Sequence, residues 1–349
     1  MKNERVVERL KELQAVPSPS GLTDEVIALL EAGLSAKGFK PRRTNKGALL
    51  VSPHPEPYAV VAGHVDTLGA MVSRVESDGT LRVAKIGGWP IPSFEGEYVS
   101  VRTLSGPTYR GTFLFDNPAA HVNKDVGKTE RTLDNTHIRL DAETDSAKAT
   151  EKLGVAVGDY VCFDPRLEVT DTGFVKSRFL DDKAGSAVML EVMERLGPSF
   201  RGLPVAFFFS NYEEVGHGAP AGFPPSVKEM LVVDMGVIGK NVAGKETAVS
   251  ICAKDSSGPQ DYELRCRLVA LAKKNRVPYV VDVFPYYSSD AAMALQAGLD
   301  LRAGIIGPGV SASHGVERTH LKGMKAAAGL LEAYCEDIGA RASGKKRRA

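Results

Sequence analysis

Long apolar runs are missing from this chain. Nowhere in its 349 residues does an uninterrupted apolar stretch of about 20 occur, which argues against a membrane span. The first residues, Met1-Lys2-Asn3-Glu4-Arg5, lead into no apolar core of a secretory signal. An excess of either charge is missing too: 44 Lys and Arg stand against 43 Asp and Glu, so no global field recruits nucleic acid or an anionic surface. The one basic run is the tail at 344–349, read as a solvated terminus. Cysteine is scarce, and Cys162, Cys252, Cys266 and Cys335 form no CxxC pair, as expected of free thiols in a reducing compartment. The expectation is a cytoplasmic globular protein without membrane or nucleic-acid partners.

Helical spacing of apolar positions appears at Val6–Leu13 and Val26–Leu34, separated by the breaker Pro17-Ser18-Pro19-Ser20-Gly21, with Thr23 as the cap of the second helix. Ala48–Val51 and Tyr58–Gly63 read as short strands, the second almost entirely apolar, as a sheet covered on both faces requires. From about Leu68 the texture changes to short alternating segments punctuated by Gly and Pro, with a polar loop at Asn123–Asn135. After Glu168 the α/β texture resumes. It gives helices at Asp182–Leu196, Tyr262–Asn275, Ala291–Ala297 and Leu321–Ile338, and strands at Pro204–Ser210, Met230–Val233 and Tyr279–Val283. The expected fold is α/β: a mixed-sheet domain sandwiched by helices, made of 1–67 and 168–349, with a small β-barrel-like domain inserted at 68–167.

Histidines and carboxylates recur where apolar runs end. Tyr58–Gly63 runs into His64 and Asp66, two residues apart and therefore aimed to one side of a strand. An imidazole that binds metal needs its second nitrogen fixed, so His64 is read as a ligand and Asp66 as its orienting acid. Asp181-Asp182 opens a periodic helix. Capping alone explains acids there, but Gly185-Ser186-Ala187 would let that helix start approach a crowded site. Phe207-Phe208-Phe209-Ser210 delivers Glu213 and Glu214, which can divide the work of metal ligand and proton acceptor. Leu231-Val232-Val233 delivers Asp234, and the segment from Ile305 ends in His314. Each fragment alone has a bland explanation. Together they supply enough ligands for two divalent ions.

In their order, Gly63-His64-Val65-Asp66, Leu180-Asp181-Asp182-Lys183, Glu213-Glu214-Val215-Gly216, Val233-Asp234 and Ser313-His314 resemble the tetrahedral, glutamyl-type aminopeptidases of metallopeptidase family 42. The early Pro17–Gly21 loop and the stretch Lys152–Asp159 extend the resemblance over nearly the whole chain. It implies two divalent ions per subunit, Zn or Co with Mn as a further option, held by His64, Asp181, Glu214, Asp234 and His314, with Asp181 bridging. It implies Glu213 as general base on a metal-bridging water, Asp66 as the acid behind His64, and peptides cleaved at their amino terminus. It further implies homo-oligomers built from dimers, up to dodecamers, with the inserted domain serving assembly and substrate access. The chain departs from the family at Thr67, Lys183, Tyr212 and His217, positions expected to surround the pocket. A deacylase or dipeptidase on the same metal chassis is the nearest alternative. A glycosidase is the more distant one, since its two carboxylates must flank a bond about 5–9.5 Å apart.

Overall fold

The computed structural model describes residues 4–200 and 202–343, so the basic tail at 344–349 lies outside the described residues. The chain forms two compact units, one from residues up to Asp66 together with Arg166 onward, the other Thr67–Pro165.

The larger unit is built on a mixed sheet. Four of its strands, Val205–Ser210, Ala59–His64, Glu229–Val233 and Arg302–Ser311, lie side by side and parallel. Their sequences are nearly unbroken apolar runs because both faces are covered, and the first three are buried throughout. Around them the sheet continues antiparallel, through Leu49–Val51 on one side and Glu317–His320 with Phe174–Ser177 on the other. Helix Leu180–Phe200 packs on the strand Ala59–His64 and against helices Arg5–Gln14 and Leu321–Ala342. Among the described residues no helix is long and apolar enough to cross a membrane.

The smaller unit is a closed barrel of six strands, Gly69–Val75, Leu81–Ile86, Thr136–Leu140, Thr108–Phe115, Tyr98–Arg102 and Tyr160–Phe163 in order around the wall. Trp89, Phe94, Phe113 and Phe163 fill it with tilted and edge-on ring contacts of 4.6–5.8 Å. Trp89 also donates its indole N–H to the Gly69 carbonyl at 2.7 Å. The loop expected at 123–135 is organised into turns, and its end winds into a short 3-10 helix, Leu133–Asn135, closed by a reciprocal Thr132–Asn135 cap.

Element positions follow the periodicities of the sequence, with local differences. Thr23 does precede helix Asp24–Ala36, yet its side chain caps nothing; its hydroxyl instead accepts from Asn211 Nδ2 at 3.2 Å, tying this helix start to the end of a central strand. The helix expected from Asp182 lies within Leu180–Phe200, where Asp181, Asp182 and Gly197 keep non-helical torsions.

Candidate metal centre

All four parallel strands present their carboxyl ends to one place. In register, His64 ends its strand opposite Ser210, and Val233 pairs with Ile306. The residues just beyond these ends are Glu213 and Glu214, His64 and Asp66, Asp234, and His314. Ligands collect at such strand ends in open α/β sheets. Asp181 enters from the start of the helix packed on the His64 strand. That approach is close. A Cβ at Gly63 would lie 2.7 Å from Met189 Sδ, and one at Gly185 would lie 2.6 Å from the Val233 carbonyl. The small residues after Asp182 therefore have the steric use the sequence suggested. Tyr212 and His314 sit at φ of 63° and 62°, turning the chain sharply where the ligand-bearing loops leave the sheet.

Asp181 faces two imidazoles at once. Its Oδ1 lies 3.2 Å from His64 Nε2, and its Oδ2 lies 3.6 Å from His314 Nε2. His314 Nε2 also lies 3.5 Å from Glu214, while His64 Nε2 has Glu213 at 3.7 Å. His64, Asp181 and Glu214 offer three ligand atoms within 4.8 Å of one another, and so do His64, Asp182 and Asp234.

Asp182 belongs to this second group by proximity, but its oxygens are already engaged. Oδ1 accepts from the Gly185 amide at 3.1 Å, which is helix capping, and Oδ2 accepts from the His64 amide at 3.2 Å. This supports the choice of Asp181 over Asp182 as ligand. His64 Nδ1 has two neighbours on Asp66: the backbone carbonyl at 3.0 Å and the carboxylate at 3.4 Å. The Asp66 carboxylate accepts from the Ser20 hydroxyl and from the amides of Glu213 at 3.2 Å and Glu214 at 3.3 Å. It thus holds the glutamate turn as well as facing the imidazole.

Electrostatics set the demand for cations. Burial and then the neighbouring charges of Asp181 and His314 act on Glu214, whose pKa stands well above the ordinary value. Burial raises Glu213 likewise, with His64 opposing and Asp234, Asp290 and Glu214 reinforcing it. Asp234 is pushed up to about 7, chiefly by burial and then by Asp181. Asp181 goes the other way: burial raises it, but hydrogen bonds to His314 and His64 outweigh this and hold it far below its usual range. Glu214 Oε1 is buried and makes no hydrogen bond. Mixed imidazole and carboxylate donors around such uncompensated negative charge suit divalent ions.

Several nearby groups carry no ligand spacing and were not legible beforehand. Glu317 is buried and pushed up to about 8 by burial and by Asp181. Asp290 is pushed up to about 6, again mainly by burial, and one of its oxygens accepts from Ser210. Tyr287 adds a buried phenol near Asp234. Of the departures noted in the sequence, Tyr212 and His217 stack at 5.0 Å beside the glutamates, with Lys46 donating to the His217 and Gly218 carbonyls. Lys183 does not surround a pocket. It is buried and donates to the Leu13 and Val16 carbonyls at 2.8 Å, fastening the end of helix Arg5–Gln14. His320 caps helix Leu321–Ala342, through Nδ1 to the Lys322 amide at 2.9 Å.

An α/β sheet whose parallel strands converge imidazoles and carboxylates on one spot is the architecture of a metallohydrolase. A sequence profile of the M42 glutamyl aminopeptidases matches residues 47–330. The chain is 44% identical over 337 residues to the putative aminopeptidase YhfE of Bacillus subtilis, covering 95% of this chain and 97% of the relative. In fold it is similar to a TET aminopeptidase of a Thaumarchaeota archaeon from marine sediment (TM-score 0.85, 20% identity, 97% and 99% of the chains). It is also similar to the Pyrococcus horikoshii TET1 peptidase, which can assemble into a tetrahedron or a large octahedral shell (TM-score 0.83, 22% identity, 95% and 99%). The chain belongs to the M42 glutamyl aminopeptidase family and is a metal-dependent aminopeptidase.

Proposed function

We propose that the chain removes single residues from the amino terminus of short peptides, using two divalent ions held by His64, Asp181, Glu214, Asp234 and His314. The observation that carries this reading is Asp181, whose two oxygens face two different imidazoles. When bound, two such ions supply Lewis acidity at the scissile carbonyl and lower the pKa of a water between them. By the family resemblance, His64, Asp181 and Asp234 would hold one ion, and Asp181, Glu214 and His314 would hold the other. Zn, Co and Mn all suit these donors.

Glu213 is the proton carrier. Its carboxylate lies at the site without standing among the close ligand triads, and its amide is held by Asp66. A carboxyl whose pKa burial has raised takes a proton from the attacking water and returns it to the leaving amine.

Likeness to assembling TET peptidases supports a homo-oligomer, and the segment 68–167 is our proposal for its assembly and access domain. Leu104 and Val157, 80% and 63% exposed on this unit, fit that use. Mass spectrometry of an unblocked peptide incubated with metal-loaded protein tests the activity. Stepwise loss of single N-terminal residues is expected, abolished by a chelator. Cleavage confined to N-acylated substrates would replace this reading with a deacylase.

A further inference from the structure

Glu317 has not been given a role by the ligand set, yet it is 1% exposed and lies among acids. Its two oxygens are taken by two backbone amides: Oε1 accepts from His314 N at 3.0 Å, and Oε2 accepts from Asp181 N at 3.0 Å. The topology explains the meeting. Strand Phe174–Ser177 pairs antiparallel with Glu317–His320, and Ser177 faces Glu317 directly. The end of one strand therefore meets the start of the other. From this fork one branch runs on to Asp181 and the other runs back to His314.

The proposed metal positions share Asp181, so the distance between the branches sets the distance between His314 and the bridging carboxylate. We propose that Glu317 is a positioning residue that clamps these two branches together and so forms the metal position shared by Asp181, Glu214 and His314. This inference rests on the dinuclear reading above. Burying an acid beside other carboxylates is costly. A group that must accept from two converging amides has few substitutes: a hydroxyl provides one oxygen at shorter reach, and an amide side chain turns one acceptor into a donor facing an N–H. Asp66 and Asp182 serve the same kind of purpose for the Glu213–Glu214 turn and for His64. Non-ligating acids thus fasten the backbone at four of the five ligand positions, and the fifth, Asp234, donates its amide to the neighbouring strand at Ile306.

The test compares Glu317→Gln with the unmodified chain. Both are stripped of metal, then titrated with Co(II), while bound ions are counted and the visible Co(II) spectrum is followed. The unmodified chain is expected to take two ions. Glu317→Gln is expected to keep one at near-normal affinity and to bind the second about 10- to 100-fold more weakly, with an altered spectrum at the second step. Its kcat should recover as Co(II) is raised while KM changes little. If circular dichroism shows the glutamine variant unfolded, Glu317→Asp carries the same measurements, because it keeps two acceptors but shortens their reach. Two ions bound with unmodified affinity and spectrum by the folded variant would overturn the clamp. Fewer than two ions on the unmodified chain would instead overturn the dinuclear reading.

Discussion

At the scale of single residues, the proposed site divides acids assigned to hold cations from acids that accept from backbone amides. Glu213 belongs to neither group, and its removal separates chemistry from binding. Glu213→Gln is expected to retain both ions, measured by elemental analysis, while kcat falls by about 10²- to 10⁴-fold. Unchanged turnover would remove Glu213 as the proton carrier. His64→Ala or Asp181→Ala should instead lower metal content and rate together. The residues proposed as ligands stood out as candidates because each lies at a helix start or within a few residues of the end of an apolar run. The backbone-holding functions of Asp66, Asp182 and Glu317 did not. Each also holds a partner far off along the chain, Asp181 for Glu317, His64 for Asp182 and Glu213 for Asp66, and no local spacing reveals those contacts.

Elements position these residues by close approach. The helix start that carries Asp181 and Asp182 fits against the sheet only because Gly63 and Gly185 lack side chains. Gly185→Ala would press a methyl against the Val233 carbonyl and the Asp182 carboxylate. It is expected to destabilise the protein by about 1–3 kcal/mol in chemical denaturation and to weaken metal retention at the same time. A stability loss with normal metal affinity would show that the helix start is not coupled to the site. The strand ends and the breaks in apolar periodicity made this arrangement visible in outline. The capping of Asp24–Ala36 was misleading, because Thr23 turns its hydroxyl to Asn211 across the fold rather than to its own helix. The turns within 123–135 also escaped pattern reading, since polar turns carry no periodicity.

For the molecule as a whole, the buried acids of the site link folding, pH and metal. Asp234 near 7, and Glu213 and Glu214 well above normal, bind protons in the folded metal-free protein that the unfolded chain has released. The native state then holds more protons than the unfolded one, so metal-free stability falls as pH rises from about 4 towards and through 7. Cations displace those protons and reverse the trend. Thermal melting should therefore show the metal-free protein less stable at pH 8 than at pH 5.5, with added metal raising Tm most at pH 8. A Tm increment from metal that does not grow with pH would contradict this.

The proposed chemistry depends on a pair of ions and their donors. The most direct measurement is anomalous diffraction from crystals of the metal-loaded Glu213→Gln protein. Two peaks about 3.5–4 Å apart are expected, with Asp181 between them, Asp234 and His64 at one, and Glu214 and His314 at the other. A single peak, or a pair held by other residues, would contradict the account.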